Sequence, residues 1–188
     1  MKLVVIACNT LTVLGVDTLK GSHAFEIVGM SKGAQLVLAA SSRKKIGVFA
    51  TEFTINSGAH KAAILAADDG ADVYPQACPK FVPLIEGEQF DGAEVRAAVA
   101  EYAAPLKAAG IDTLILSCTH YPFIQKEIER EFGSEVTVID PADATAQDTK
   151  TVLAAEGLLR SEGAGSLEVC FTACLLYTSD AADDRISV

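Results

Sequence analysis

Short apolar runs recur at residues 2–7, 26–30, 45–50, 72–75, 113–117 and 136–140, each followed by turn residues and usually by a helical pattern. Repeated β-then-α order implies a parallel sheet with helices on its faces. The composition agrees. Half of the 188 residues are hydrophobic, Trp is absent and aromatics make up 6%, so Ala, Val, Leu and Ile carry the apolar content, as buried parallel strands require. This length buries a substantial core and suits one domain or two small ones.

Between the strands, residues 91–109 give the clearest helix. Asp91 with Glu94 three residues later reads as a capping box with Asp in the cap position. Val95, Val99, Tyr102 and Leu106 fall on one face and Gly110 stops the helix. Further helices are expected over 123–132, after Pro122, and over 144–159. Residues 174–188 continue neither period and resemble translated adapter read-through; they are expected to be a non-native or disordered tail without function.

Charge and cysteine usage narrow the function class. Acidic residues outnumber basic ones 25 to 15, for a formal net charge of −10, which argues against nucleic acid as a partner. The first apolar run is too short for a secretory core, and no run approaches the ~18 apolar residues of a membrane span. The five cysteines, Cys8, Cys78, Cys118, Cys170 and Cys174, are odd in number and lack a framework spacing, so they read as reduced thiols in a cytoplasmic protein. Phosphatase-type chemistry is excluded because Leu14 and Ile124, not Arg, stand six positions after Cys8 and Cys118. The segment GMSKGA lacks the order of a phosphate loop, no CxxC pair marks a zinc site, and no Lys context marks a pyridoxal enzyme.

The informative signal is a repeated motif. The run over 2–7 leads into Cys8-Asn9-Thr10, and the run over 113–117 leads into Cys118-Thr119-His120. In open α/β sheets ligands bind outside the carboxyl ends of strands, so both cysteines sit where chemistry occurs. Backbone N–H groups near a helix N-terminus suit a carboxylate, and Asn9, Thr10 and Thr119 add side-chain donors. A lone cysteine usually packs as a small hydrophobe; two in matching contexts, one with His120 two residues away, point to proton transfer.

ACNT (7–10), ATEFTINSG (50–58), CPKFVPLIE (78–86) and SCTHYP (117–122), in that order, resemble the glutamate racemases of the aspartate/glutamate racemase superfamily, over about residues 1–172. The resemblance implies two facing parallel-sheet α/β domains with the active site in their cleft: an incomplete first domain (1–42 plus 141–173) and a second (43–140). It implies Cys8 and Cys118 as the catalytic acid/bases and Glu86 and His120 as assistants on the Cys118 side. Asn9, Thr10, Thr119 and His120 would hold substrate, Thr51 and Thr54 would line the pocket, and Cys78 would be structural. It also implies a cofactor-independent enzyme supplying D-glutamate for peptidoglycan, with glutamate as partner and a homodimer left open. Leu11, Phe53, His60 and the turn GMSKG depart from the family pattern without removing a reacting group. Family members carry two βα units ahead of ACNT, with an Asp-Ser-Gly loop and a Tyr-Gly pair. About 60 residues, at ~30 per unit, are therefore expected to be missing, and the chain alone is expected to have little activity. The remaining alternatives are a related racemase acting on aspartate or another amino acid, and a non-catalytic carboxylate-binding α/β module.

Two cysteines suit racemisation for a geometric reason. One face of the α-carbon must lose a proton and the other must gain one, and a single base tends to return its proton to the same face. A thiol with an ordinary pKa of about 8.5 supplies some thiolate near neutrality. Donors in a dry site must stabilise the developing carbanion.

Overall fold

The computed structural model describes residues 1–166 and Glu168. In chain order the elements are β1 (Leu3–Ile6), α1 (Asn9–Leu11), a π-helical turn (Thr12–Val16), α2 (Asp17–Leu19), β2 (Glu26–Gly29), α3 (Ala34–Ala40), β3 (Lys45–Ala50), α4 (Glu52–Asn56), α5 (Ala59–Ala67), β4 (Asp72–Ala77), α6 (Phe81–Glu86), α7 (Gly92–Ala109), β5 (Thr113–Ser117), a 3-10 turn (Tyr121–Ile124), α8 (Gln125–Phe132), a 3-10 turn (Gly133–Glu135), β6 (Thr137–Ile139) and α9 (Ala142–Ala155). Every expected strand is present. β4 runs two residues past Pro75 because it lies at a sheet edge, where a residue without an N–H is tolerated. Asp91 does stand at the cap of α7, but its side chain makes no capping hydrogen bond; Gly110 ends the helix at φ 70 as expected. The expected tail and Cys170 and Cys174 lie outside the described residues.

All strand pairings among the described residues are parallel. β1 pairs with β2, from Leu3 opposite Glu26 to Ile6 opposite Gly29. The other strands form a four-stranded sheet in the order β4-β3-β5-β6. Successive side chains of a strand point to opposite faces, and in the central strands β3 and β5 both faces are covered. Phe49, Leu114 and Leu116 pack with Phe81, Tyr102, Leu106 and Tyr121 on the α6–α7 face. Ile46, Val48, Ala50 and Ile115 pack with Val37 of α3 and Ile64 of α5 on the other. Each large aliphatic or aromatic side chain among these contributes roughly 1.5–3 kcal/mol when fully buried, so this sheet forms a firm base for the loops at its carboxyl end.

The smaller sheet is tied together by Thr12. Its hydroxyl donates to the Ile6 carbonyl at 3.4 Å and accepts from the Met30 N–H at 2.9 Å. Gly29 permits this approach, since a Cβ there would lie 2.5 Å from Thr12 Cγ2. α9 packs against β2, and just past that strand the Ser31 N–H donates to Thr145 Oγ1 of α9 at 3.0 Å.

Asp112, immediately before β5 and 8% exposed, fastens the turn that leads into β3. It accepts from Ser41 Oγ at 2.5 Å, the Arg43 N–H at 2.6 Å and Ser42 Oγ at 3.2 Å. Burial alone would raise its carboxyl, but these hydrogen bonds outweigh burial and hold it below the usual carboxylate range. A depressed folded value gives stability that is present above the unfolded value of about 3.9 and is lost as pH falls through the folded one. Asp112→Ala is expected to lower unfolding free energy by about 2–4 kcal/mol at pH 7. The gap should narrow below about pH 4 in urea titrations; a gap independent of pH would show that the charge is not its source.

Candidate active site

Parallel pairing puts Cys8 at the carboxyl end of β1 and Cys118 at the carboxyl end of β5. Cys8 is half-buried and extended (φ −152, ψ 121), which lets it cap α1; its Sγ accepts from the Leu11 N–H at 3.5 Å. Asn9 is 3% exposed and its Nδ2 has no protein partner. Thr10 reaches across to the loop after β3. Its Oγ1 lies 3.0 Å from Thr51 Oγ1 and 3.3 Å from Thr54 Oγ1, and those two are 3.1 Å apart. Thr51 also caps α4, accepting from the Thr54 N–H at 3.4 Å. A triangle of hydroxyls thus ties the ACNT motif of the small sheet to the ATEFT loop of the large one.

On the other side, Cys118 is 9% exposed. His120 Nδ1 lies 3.9 Å from its Sγ, and His120 Nε2 lies 3.1 Å from Glu86 Oε1, so thiol, imidazole and carboxylate form a line. Glu86 ends α6, which is anchored beneath by buried Phe81 and Ile85. Burial pushes the Cys118 thiol above its ordinary value; the backbone N–H of His120 partly offsets this, the nearby Cys8 adds to the rise, and the Tyr121 N–H opposes it. Cys78, by contrast, is 1% exposed and its thiol is raised further still by burial, as befits a packed residue.

Thr119 is exposed and, with Val5, Ala7, Met30 and Thr145, lines a recess of about 470 Å³ beside α9, which neither cysteine lines. A recess of about 530 Å³ along the outer edge of β2, lined by Lys20, Glu26 and Asp148 among others, includes neither cysteine. The structure therefore groups Cys8, Thr10, Thr51 and Thr54 on one side and Cys118, His120 and Glu86 on the other. Asn9 and Thr119 bond to neither group. The Leu11 N–H was not legible as a thiol donor, since a backbone group carries no residue signature. Among the described residues no cluster of three or more His, Cys, Asp or Glu could hold a metal ion.

A sequence profile of the Asp/Glu/Hydantoin racemases matches residues 1–149. The chain belongs to that family. It is 41% identical over 160 residues to a glutamate racemase of Lysinibacillus sphaericus, covering 85% of this chain and 60% of that protein. A glutamate racemase of Lactiplantibacillus plantarum is 42% identical over 154 residues, covering 81% and 56%. Among solved structures, the glutamate racemase isoform of Bacillus anthracis superposes with a TM-score of 0.80 at 34% identity, over 86% of this chain and 61% of that one. The Francisella tularensis glutamate racemase, solved in complex with D-glutamate, gives 0.78 at 30% identity, over 87% and 61%. The chain spans about 60% of the length of the curated racemases it matches. No helix among the described residues is long and apolar enough to cross a membrane.

Proposed function

We propose that this chain carries the two-cysteine centre of a glutamate racemase that interconverts L- and D-glutamate without a cofactor. The observation that carries the reading is the line from Cys118 through His120 to Glu86, with Cys8 in the matching place at the carboxyl end of β1. In this reading one cysteine, as thiolate, takes the α-proton from one face of glutamate while the other, as thiol, delivers a proton to the opposite face. The roles reverse with the enantiomer. His120 relays charge to Cys118 and is oriented by Glu86. The Leu11 N–H steadies sulfur charge on Cys8. Asn9, Thr10, Thr51 and Thr119 supply donors for the substrate's carboxylates, where developing charge most needs them.

The same reading makes the two sheets the cores of two domains, residues 1–42 with 141–173 and residues 43–140, closing over the substrate to exclude water. The enzyme would work in the cytoplasm, feed D-glutamate to peptidoglycan synthesis, and bind neither nucleic acid nor membrane. The test is α-proton exchange in heavy water. A protein of the relatives' full length that carries this chain should wash deuterium into L- and D-glutamate alongside racemisation, and much more slowly into aspartate. Faster exchange with aspartate would move the substrate to that acid. Glutamate binding without exchange would leave a carboxylate-binding module.

A further inference from the structure

His60 is a buried ionisable residue for which the racemase reading has no use. It is the second residue of α5, it is 4% exposed, and neither ring nitrogen has a hydrogen-bond partner. Ile64, one turn on, is fully buried in the core beneath α3, so His60 lies on the inward face of the helix. α5 packs on α4, the helix that carries Thr54 and is capped by Thr51.

A neutral imidazole tolerates such a place at some cost, and an imidazolium tolerates it far less. The surroundings offer the charge no relief. α3 carries no ionisable residue. Glu52 of α4, Asp72 of β4 and Lys61 of α5 itself are exposed, and Tyr74 of β4 packs on the opposite face of the sheet. Lys32, in the loop after β2, is the charge that acts on His60, and it repels a proton there. The N-terminal end of α5 adds positive potential. Burial first and Lys32 second lower the imidazole from 6.5 to about 4.

We propose that His60 is an acid-sensitive latch: when its imidazole takes up a proton, the first turn of α5 is released, α4 follows, and the Thr10–Thr51–Thr54 triangle loosens. The sign follows from linkage. An open state, in which the imidazole is solvated, binds the proton below about pH 6.5, whereas the closed state binds it only near pH 4. The closed state is therefore favoured in full above pH 6.5 and loses ground between those values, by up to roughly 10²-fold in the closed-to-open ratio.

Amide hydrogen exchange on the 188-residue chain, corrected for the intrinsic pH dependence of exchange, reads this ratio. Protection over α4 and α5 should fall by tens-fold or more from pH 7.5 to 5, while protection over β5 holds. In His60→Gln, which keeps a neutral polar side chain, that fall should vanish. NMR titration of the His60 ring in the unaltered chain gives a second readout should the variant fold poorly. The ring should stay neutral well below pH 6 while the closed signal persists. In Lys32→Met it should titrate at higher pH, and the loss of protection should be shallower. A ring that titrates near 6.5 in the closed state, or equal loss of protection in the chain and in His60→Gln, would overturn the latch. No measurement here uses turnover, so the outcome is independent of the racemase reading.

Discussion

Cys8→Ser and Cys118→Ser should each lower glutamate racemisation by roughly 10³-fold or more, since removing a positioned acid–base group typically costs 10²–10⁴ and a serine hydroxyl is a far weaker acid than a thiol. The assay is circular dichroism of glutamate with a protein of the relatives' full length that carries this chain. Racemisation itself cannot tell the two variants apart. The enantiomers are equal in free energy, so kcat/KM is the same in both directions whichever residue is changed. The distinction lies in a half-reaction. On a glutamate analogue with a good β-leaving group, loss of the α-proton leads to elimination, which needs the base on one side only. Cys8→Ser should retain elimination from the enantiomer whose proton faces Cys118, and Cys118→Ser from the other. Loss of elimination from both enantiomers in both variants would remove the two-base mechanism.

Much of this arrangement was legible in the sequence because it rests on local pattern. The run over 113–117 is apolar on alternate faces and all of it is buried, and β5 occupies those same residues. Strand ends fix where the next residue points, so Cys8 and Cys118 could be placed at carboxyl ends from their position alone. What could not be read depends on contacts across long sequence separations. The Thr10 hydroxyl meets Thr51 and Thr54 from more than forty residues away. Asp91 and Glu94 have a capping-box spacing, yet Asp91 makes no side-chain cap bond, because spacing does not set the side-chain torsion. In the sequence His60 stands only as a departure from the family pattern; the packing of α3 and α4 against α5 shows that it is enclosed.

His120→Asn should lower elimination from the enantiomer facing Cys118 by about 10²-fold and leave elimination from the enantiomer facing Cys8 within a few-fold. The asymmetry follows from burial. Cys118 is the enclosed thiol, pushed above its ordinary value chiefly by desolvation, so near neutrality it depends on help to become a thiolate. A neutral His120 that accepts the thiol proton at Nδ1, while Nε2–H donates to Glu86, provides that help. The pH dependence has a definite sign. A base with a raised pKa gains activity as pH rises, so the rate with Cys118 as base should keep climbing beyond the ~8.5 of an ordinary thiol. His120→Asn should push that limb higher still. Glu86→Gln keeps a hydrogen-bond acceptor but loses the carboxylate charge facing Nε2. Because Glu86 is largely exposed, water screens that charge, and its loss should cost nearer tenfold than a hundredfold. Unfolding free energies of both variants should stay within about 0.5–1 kcal/mol of the parent, since neither side chain belongs to the core. Equal losses on both enantiomers with an unshifted pH limb would mean that His120 merely shapes the loop. An asymmetric loss with a shifted limb would place it in proton transfer at Cys118.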